Sequence, residues 1–271
     1  MRHPFRHLWL AYHCARNCLA REMAFRGNFL LRTVAALGWL ALLIVFFSVL
    51  YGQTDDIAGW SKHQILFLIG THFLVTMLFN ALFFENCMQL SEQVRTGGLD
   101  FILLKPVDAQ FLLSVRKIDF GSLAQLPAGV VIIAYSLNML GFHLTASAAA
   151  LYLVLLVCGV LILYSIMFML ATTSFWLVRN DNMFDLWWYV NSFSRYPAEM
   201  YKDFLGGMFR TLMTYVLPVL IVANVPAASV VRAAYQPSHL IFVMLASTGF
   251  FLALSRLLFR FALRNYQSAS S

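Results

Sequence analysis

Long stretches without Asp, Glu, Lys or Arg are the feature that most constrains what this chain can fold into. The sequence holds five of them, at 33–54, 63–84, 120–178, 211–231 and 233–255. A helix needs about 20 apolar residues to cross about 30 Å of hydrocarbon, and these stretches are of that length or longer. They predict an all-α polytopic membrane protein.

The composition excludes the other broad classes of protein. Of the 271 residues, 61% are hydrophobic and 11% are charged, whereas an average soluble domain has about 45–50% apolar and about 25% charged residues. So few charges cannot cover the surface of a water-soluble globule. Disordered, collagen-like and coiled-coil chains are also excluded, because each requires a polar or repetitive composition.

Six transmembrane helices account for the apolar stretches. The 120–178 stretch is too long for one span, and Gly141 offers a break for a short outer turn. We predict a single transmembrane domain over residues 1–271, with spans at 28–54, 62–88, 119–141, 146–178, 182–199 and 236–259.

The positions of Lys and Arg predict that both termini are cytoplasmic, because these residues gather on the cytoplasmic side of membrane proteins. They lie before the first span, after the second span and in the C-terminal tail: Arg2, Arg6, Arg16, Arg21, Arg26 and Arg32; Arg95, Lys105, Arg116 and Lys117; Arg256, Arg260 and Arg264. The loop between the first two spans has instead Asp55, Asp56 and a single Lys62. The net charge of +7 therefore indicates orientation in a membrane and not a nucleic-acid partner.

Two interpretations of the segment 180–232 remain open from the residues alone. In the first, 182–199 is the fifth span and 203–231 forms a pair of outer re-entrant helices. In the second, 182–209 is a cytoplasmic interfacial segment and 211–231 is the fifth span. Both give six crossings.

The two arguments about this segment disagree. The positive-inside rule favours the second interpretation, which keeps Arg195, Lys202 and Arg210 in the cytoplasm. The prolines favour the first, because Pro218 and Pro226 interrupt 211–231. A broken helix at membrane depth persists only where it packs in protein or faces a water-filled cavity.

The N-terminal segment 4–27 is predicted to be an amphipathic helix in the plane of the headgroups. Apolar residues recur on one face at helical spacing, namely Phe5, Leu8, Trp9, Tyr12, Ala15, Leu19 and Met23. Arg2, Arg6, His13, Arg16 and Asn17 fall on the opposite face. Basic residues opposite aromatic ones are typical of an interfacial helix.

The sequence has no motif for catalysis or for nucleotide binding. It has no GxxxxGK[ST], HExxH or GxSxG sequence. Cys14 and Cys18 lie one helical turn apart beside His13, but zinc requires four ligands and no second pair is present. We therefore predict that the chain is not an enzyme and that it binds no cofactor or metal of its own.

The predicted cytoplasmic loop 92–106 is the most informative feature. Gly97 and Gly98 are expected to end the second helix. A short segment with five large apolar residues, Leu99, Phe101, Ile102, Leu103 and Leu104, then begins and stops at Pro106. A solvated connection would not carry so many apolar residues. A short amphipathic helix of this kind can fill a groove on another protein.

The chain resembles the ABC-2 type transporter permeases in an ordered set of segments. The run RTGGLDFILLKPV at 95–107 is similar to the coupling helix of that family. YGQTDDIAGW at 51–60 resembles the first outer loop of one subfamily, and ILYSIMFMLATTSFWLVRND at 162–181 resembles its fourth span. RYP at 195–197 and VLPVLIVANVPA at 216–227 resemble the segment before its last span.

The resemblance implies a subunit of a bacterial exporter in the cytoplasmic membrane. Such a permease would pair with a second permease, identical or related, and with a dimeric cytoplasmic ATPase that holds ATP and Mg. It would have the interface helix at 4–27 and re-entrant helices at 203–231, with Pro197, Pro218, Asn224 and Pro226 in or beside the re-entrant region. Arg195, Lys202, Arg210 and Arg232 would then lie at the outer side, which departs from the positive-inside rule.

We predict two groups of functional residues. The contact with the ATPase is assigned to Arg95, Gly97, Gly98, Leu99, Asp100, Leu103 and Pro106, in which the apolar side chains fill the groove, the charges set the register, and the glycines and the proline fix the ends. Candidates for the substrate path are Glu85, Asn80 and His72, because ionisable and polar residues in spans are functional candidates.

Two other function classes compete with this one. An ion-coupled carrier or channel would work without an ATPase, but a proton-coupled carrier is expected to place carboxylates near the bilayer midplane, and we find none in the sequence. A membrane scaffold that transports nothing would not require a proline-broken re-entrant segment. An ATPase with a Walker motif encoded beside this chain would favour the transporter.

Overall fold

The computed structural model describes residues 13–14, 16–20, 22, 26–142, 144–177, 181–201, 207–232 and 238–266. Within these ranges the chain is helical and forms no β-sheet. Most of the predicted interface helix at 4–27 lies outside the described residues.

Five of the helices are long and apolar enough to cross a membrane, so the chain is a multi-pass membrane protein. In chain order the helices are α1 (Arg26–Leu50), α2 (Lys62–Arg95), α3 (Gly98–Leu103), α4 (Ala109–Val115), α5 (Phe120–Leu140), α6 (Ala146–Phe175), α7 (Asp181–Ser192), α8 (Met208–Val216), α9 (Val219–Val231) and α10 (Ser238–Arg264). The five candidate spans are α1, α2, α5, α6 and α10.

Helices α2 and α6 form the centre of the fold. In the most apolar 18-residue stretch of each helix, 72% of the residues are buried in α2 and 67% in α6. The corresponding values are 11% in α1, 17% in α5 and 22% in α10. Helix α9 packs between the two central helices, and α5 and α10 pack on the outside of α2 and α6 respectively. The largely exposed apolar faces of α1, α5 and α10 remain for lipid or for another membrane protein.

Small residues allow the central helices to approach closely, as is common between helices in membranes. A Cβ atom on Gly159 of α6 would lie 2.8 Å from the backbone oxygen of Val222 in α9. A Cβ atom on Gly129 of α5 would lie 2.7 Å from Leu74 of α2. Helix α9 is therefore held against α6 at a position where no side chain fits.

We expect Gly159→Ala to lower the free energy of unfolding by about 2 kcal/mol, because the added methyl group meets a backbone atom that cannot rotate away. Gly249→Ala in α10 is the matched control, since nothing lies within 4 Å of a Cβ atom at that glycine. The measurement is thermal unfolding of the purified variants in detergent. Equal melting temperatures for the two variants would contradict the packing of α9 on α6.

The segment predicted as a fifth span at 182–199 is not one continuous helix. Helix α7 has 12 residues and is followed by 3₁₀ turns at Phe193–Arg195 and Ala198–Tyr201. At 1.5 Å per residue, α7 is about 18 Å long and cannot cross about 30 Å of hydrocarbon alone. Pro197 explains the break, because the residue before a proline is disfavoured in a helix, and Tyr196 is extended at φ −103°, ψ 149°.

Contacts show the course of this broken segment along α2. Trp187 packs against Phe79 with ring centroids 6.2 Å apart. The Ser194 hydroxyl lies 2.8 Å from His72 Nδ1, and Trp60 Nε1 donates to Glu199 at 3.0 Å. The segment 187–199 therefore runs antiparallel to α2, from its middle to the loop before its first residue.

Helices α8 and α9 form a pair bent by 86° at Leu217 and Pro218. Phe209 in α8 packs against Phe193 and Tyr201, and the Val231 carbonyl at the end of α9 accepts a hydrogen bond from Gln64 in α2 at 3.3 Å. Both outer ends of the pair thus lie near the start of α2. A bent helix pair of this kind is compatible both with the re-entrant pair predicted at 203–231 and with a single broken span at 211–231, so both interpretations of this segment stay predictions.

Candidate functional site

The turn between α2 and α3 depends on a glycine. Gly97 has φ 72° and ψ 3°, a left-handed conformation that side chains other than that of glycine rarely adopt. It reverses the chain so that α3 packs back against α2 and α4. The short helix begins at Gly98 and ends at Leu103, before Pro106.

The two faces of α3 have opposite environments. Leu99 and Ile102 point inward and are 0% and 4% exposed. Phe101 and Leu104 point outward and are 73% and 81% exposed. Since residues three apart share one face of a helix, each pair forms one side of α3.

The prediction that Leu99 fills a groove on a partner needs correction. Leu99 is part of the chain's own core, because a helix lying on α2 and α4 must bury one apolar face. Leu103 is partly exposed and stays on the outer side of the helix. We define the exposed apolar patch of α3 as Phe101, Leu103 and Leu104.

Arg95 and Asp100, two charged residues of the predicted ATPase contact, have partners within the chain. Arg95 and Glu92 form an exposed ion pair at 2.8 Å on the last turns of α2. Asp100 lies beside Tyr266 at the end of the C-terminal helix, and this carboxylate raises the pKa of the Tyr266 hydroxyl, although burial is the larger cause. The structure therefore ties α3 to both α2 and the C-terminal end of the fold.

A clamp between α4 and α10 was not predicted from the sequence. Asp108 caps α4 by accepting a hydrogen bond from the Phe111 N–H at 2.9 Å, and both of its oxygens accept from the Arg256 guanidinium. Arg256 also donates to Gln110 Oε1 at 3.1 Å. The partners are separated by 148 residues in sequence, and no local pattern signals such a pair.

We expect Asp108→Asn to lower the free energy of unfolding by about 1 kcal/mol, the scale for a partly exposed ion pair. Asn still caps the helix, so the change isolates the charge. The hydrogen bond from Arg256 holds the pKa of Asp108 below its ordinary value. The clamp therefore contributes its full stabilisation at pH values above the ordinary pKa of an Asp side chain. This stabilisation is lost as the pH falls from there through the lowered pKa of Asp108.

Thermal unfolding of the wild-type chain and of Asp108→Asn from neutral to acidic pH measures this effect. The difference in melting temperature should persist into mildly acidic buffer and vanish only below the ordinary carboxyl range. A difference that is already absent at neutral pH would contradict the clamp.

Glu85, a predicted substrate-path residue, anchors the loop through an ion pair with Lys117. Lys117 Nζ donates to Glu85 Oε1 at 2.6 Å. The neighbouring Asn86 donates to the Lys117 carbonyl at 2.7 Å and accepts from the Lys117 N–H at 2.9 Å. Asn80 lies just before these residues, at the start of a π-helical turn in α2 (Asn80–Phe84). Neither Glu85 nor Asn80 lines a cleft described below.

Asn224 joins α9 to the segment 196–198 that follows α7. Its Oδ1 accepts from the Ala198 N–H at 2.9 Å, and its Nδ2 donates to the carbonyls of Leu220 at 2.9 Å and Tyr196 at 3.1 Å. The side chain is buried, as is Pro226 in the same helix. Asn224 thus satisfies backbone groups that the break at Pro197 leaves unpaired.

The first of two clefts lies beside this junction and contains about 260 Å³. Its charged walls are Glu199, Arg210 and Arg232. Arg232 stacks on the Trp60 ring at 4.9 Å and lies 3.7 Å from Glu199. The cleft lies at the end of the fold where α2 begins.

The second cleft contains about 400 Å³ and lies between α1, α2 and α7. His72, a predicted substrate-path residue, lines it together with Arg195 and Asn191. His72 is about 15 Å from the start of α2 at 1.5 Å per residue, near half the depth of a bilayer. The walls are otherwise mainly apolar.

The comparisons with known proteins give one match. A family model described as "ABC-2 family transporter protein" matches residues 37–270. No curated protein and no solved structure matches the chain. In the part of the chain that the structure describes, no group of His, Cys, Asp or Glu could hold a metal ion.

Proposed function

Because this chain belongs to the ABC-2 family of transporter proteins, which makes it a permease of an ABC transporter, we propose that it is the membrane subunit of an exporter. In this proposal it forms the substrate path with a second permease and is driven by a separate cytoplasmic ATPase. ATP and Mg bind to the ATPase, since this chain has no Walker motif.

The exposed apolar patch of α3 is the observation that carries the proposal. Phe101 and Leu104 are among the most exposed large apolar side chains of the described residues. They lie in a loop with Arg95, Lys105, Arg116 and Lys117, which the positive-inside rule places in the cytoplasm. An apolar patch in water marks a surface that another protein covers.

The contacts of α3 and α4 supply a path for motion. Leu99 and Ile102 fix α3 to the core, Lys117 ties the loop to Glu85 in α2, and Arg256 ties α4 to α10. A displacement of α3 by an ATPase would therefore move α2 and α10 as well. Such rigid-body transmission is a known mode of switching.

The exposed faces of the outer helices support a second membrane subunit. Only 11% of the most apolar window of α1 is buried within this chain. A single chain with a lipid-facing α1 would leave the second cleft open at its edge, since Trp39 on α1 is exposed. A second permease, identical or related, that covers this face would enclose the cleft.

Reconstitution tests the proposed function. The chain is purified alone and with a candidate ABC ATPase subunit, and each preparation is incorporated into liposomes. We expect permease-dependent ATP hydrolysis and ATP-driven transport only with both subunits, directed away from the ATPase side. Transport by the chain alone under an ion gradient would instead support an ion-coupled carrier or channel, and would overturn the proposal.

A further inference from the structure

The second cleft contains polar groups that the fold leaves without partners. Thr76 and Asn191 are each 5% exposed, and the Thr76 Oγ1 and Asn191 Oδ1 atoms are buried without a hydrogen bond in the described structure. The same holds for Arg195 Nε. Buried polar atoms nearly always have a partner, which can be a ligand. All three residues line this one cleft.

Arg195 brings a positive charge into the cleft. Its guanidinium stacks over the rings of Trp39 at 6.0 Å and Tyr196 at 5.2 Å. Among the described residues no carboxylate forms an ion pair with it, and none lines the cleft. The adjacent Ser194 binds His72, which fixes Arg195 at the level of His72, about 15 Å from the start of α2 at 1.5 Å per residue. A cation at this depth is costly without a counter-charge.

The remaining walls are mainly apolar, with His72, Tyr189 and Ser192 as the other polar side chains. Ala36, Leu40 and Leu43 of α1 face Ile69, Phe73 and Met77 of α2 across the cleft. A smaller cleft of about 180 Å³ continues past Arg195 along α1 to Phe46, and it shares Trp39, Leu43 and Arg195 with the second cleft. The site thus contains one positively charged side chain, that of Arg195, between two mainly apolar clefts.

We propose that this cleft binds an amphiphilic anion, a molecule with one acid group on an apolar chain. The acid group pairs with Arg195 and accepts from its free N–H, and the apolar chain lies against α1 and α2. A cationic ligand would meet no carboxylate in this cleft to balance its charge. A small hydrophilic anion would pair with Arg195 but would leave the apolar walls without contacts. The claim that this anion is the transported substrate rests on the proposed function, whereas binding itself does not.

Binding to the purified chain in phosphatidylcholine nanodiscs tests the site. The probe is cis-parinaric acid, whose fluorescence is excited by energy transfer from Trp39 and Trp188, both of which line the cleft. We expect the acid to bind at least about 10-fold more tightly than its methyl ester. Arg195→Gln should abolish that difference, and Arg195→Lys should keep most of it.

Arg116→Gln is the matched control, because Arg116 is an exposed residue of the predicted cytoplasmic loop and its loss removes the same charge. We expect it to bind the acid as the wild type does. Equal binding of acid and ester by the wild-type chain would overturn the proposal, and so would unchanged selectivity in Arg195→Gln. The ester comparison requires no variant, so it remains valid even if Arg195→Gln fails to fold.

Two further arms distinguish the source of the anion. Phosphatidylglycerol in the nanodiscs displaces the probe if an acidic membrane lipid is the occupant. ATP-driven movement of the acid in liposomes that also contain the ATPase marks it as transported substrate. Since binding is measured on the chain alone, a lack of ATP-driven movement of the acid would refute its role as transported substrate and leave the anion site standing. A lack of any permease-dependent ATP hydrolysis would instead refute the proposed function.

Discussion

A chain carrying Phe101→Asp and Leu104→Asp is expected to fold and reach the membrane but to lose at least about nine-tenths of its ATP-driven transport. Both side chains are exposed, so the substitutions bury no charge within this chain. They do place two carboxylates in the surface that we assign to the ATPase. An apolar anchor at the centre of an interface commonly contributes about 2 kcal/mol or more to binding, which exceeds a tenfold change.

Two comparisons give this prediction its specificity. Thr96→Asp adds a carboxylate to the same loop at an exposed position outside the patch, and we expect transport close to that of the wild type. Leu99→Ala removes a fully buried side chain, and we expect it to lower the free energy of unfolding by about 3 kcal/mol. Normal coupled transport by the double variant would show that the patch is not the docking surface.

Replacing Asn224 with Leu is expected to lower the free energy of unfolding by about 3 kcal/mol. Leu has a similar size, so the effect comes from lost hydrogen bonds and not from a cavity. The Ala198 N–H and the Tyr196 and Leu220 carbonyls lose the Asn224 side chain as a partner. A buried group left without a partner costs about 1–3 kcal/mol.

Asn138→Leu in α5 provides the control for this substitution. Asn138 is exposed on the surface of its helix, and we expect a change within about 0.5 kcal/mol. Thermal unfolding in detergent measures both variants. If Asn224→Leu melts at the same temperature as Asn138→Leu, Asn224 does not hold α9 against the segment that follows α7.

Local sequence signals were sufficient for most helices of this fold. The charge-free stretches mark the segments that form α1, α2, α5, α6 and α10, because a long apolar run reports burial in lipid whichever face packs on a neighbour. Gly97, Gly141 and Pro218 mark helix ends or breaks for local reasons, either a positive φ or a missing N–H. The length of the fifth segment was misjudged because Pro197 interrupts it.

Contacts between distant residues could not be predicted from local signals. The five apolar residues of the α3 segment all looked equivalent, and only packing against α2 and α4 separates buried Leu99 from exposed Leu104. The Asp108–Arg256 clamp joins the start of α4 to the interior of α10, 148 residues apart in sequence. The position of Arg195 between the rings of Trp39 and Tyr196 also depends on tertiary structure, so a count of basic residues could not predict it.

Photo-crosslinking from the exposed apolar patch of α3 is the most direct test of the central claim. The claim is that a separate cytoplasmic ATPase binds this permease at that patch. Benzoylphenylalanine is placed at position 104, or at position 45 on the exposed face of α1 as a control. Each variant is irradiated in membranes that also contain the candidate ATPase subunit. We predict an adduct between position 104 and the ATPase, and none from position 45. The account would be contradicted if position 104 formed no adduct with the ATPase and were labelled only by membrane-impermeant reagents added from the outside.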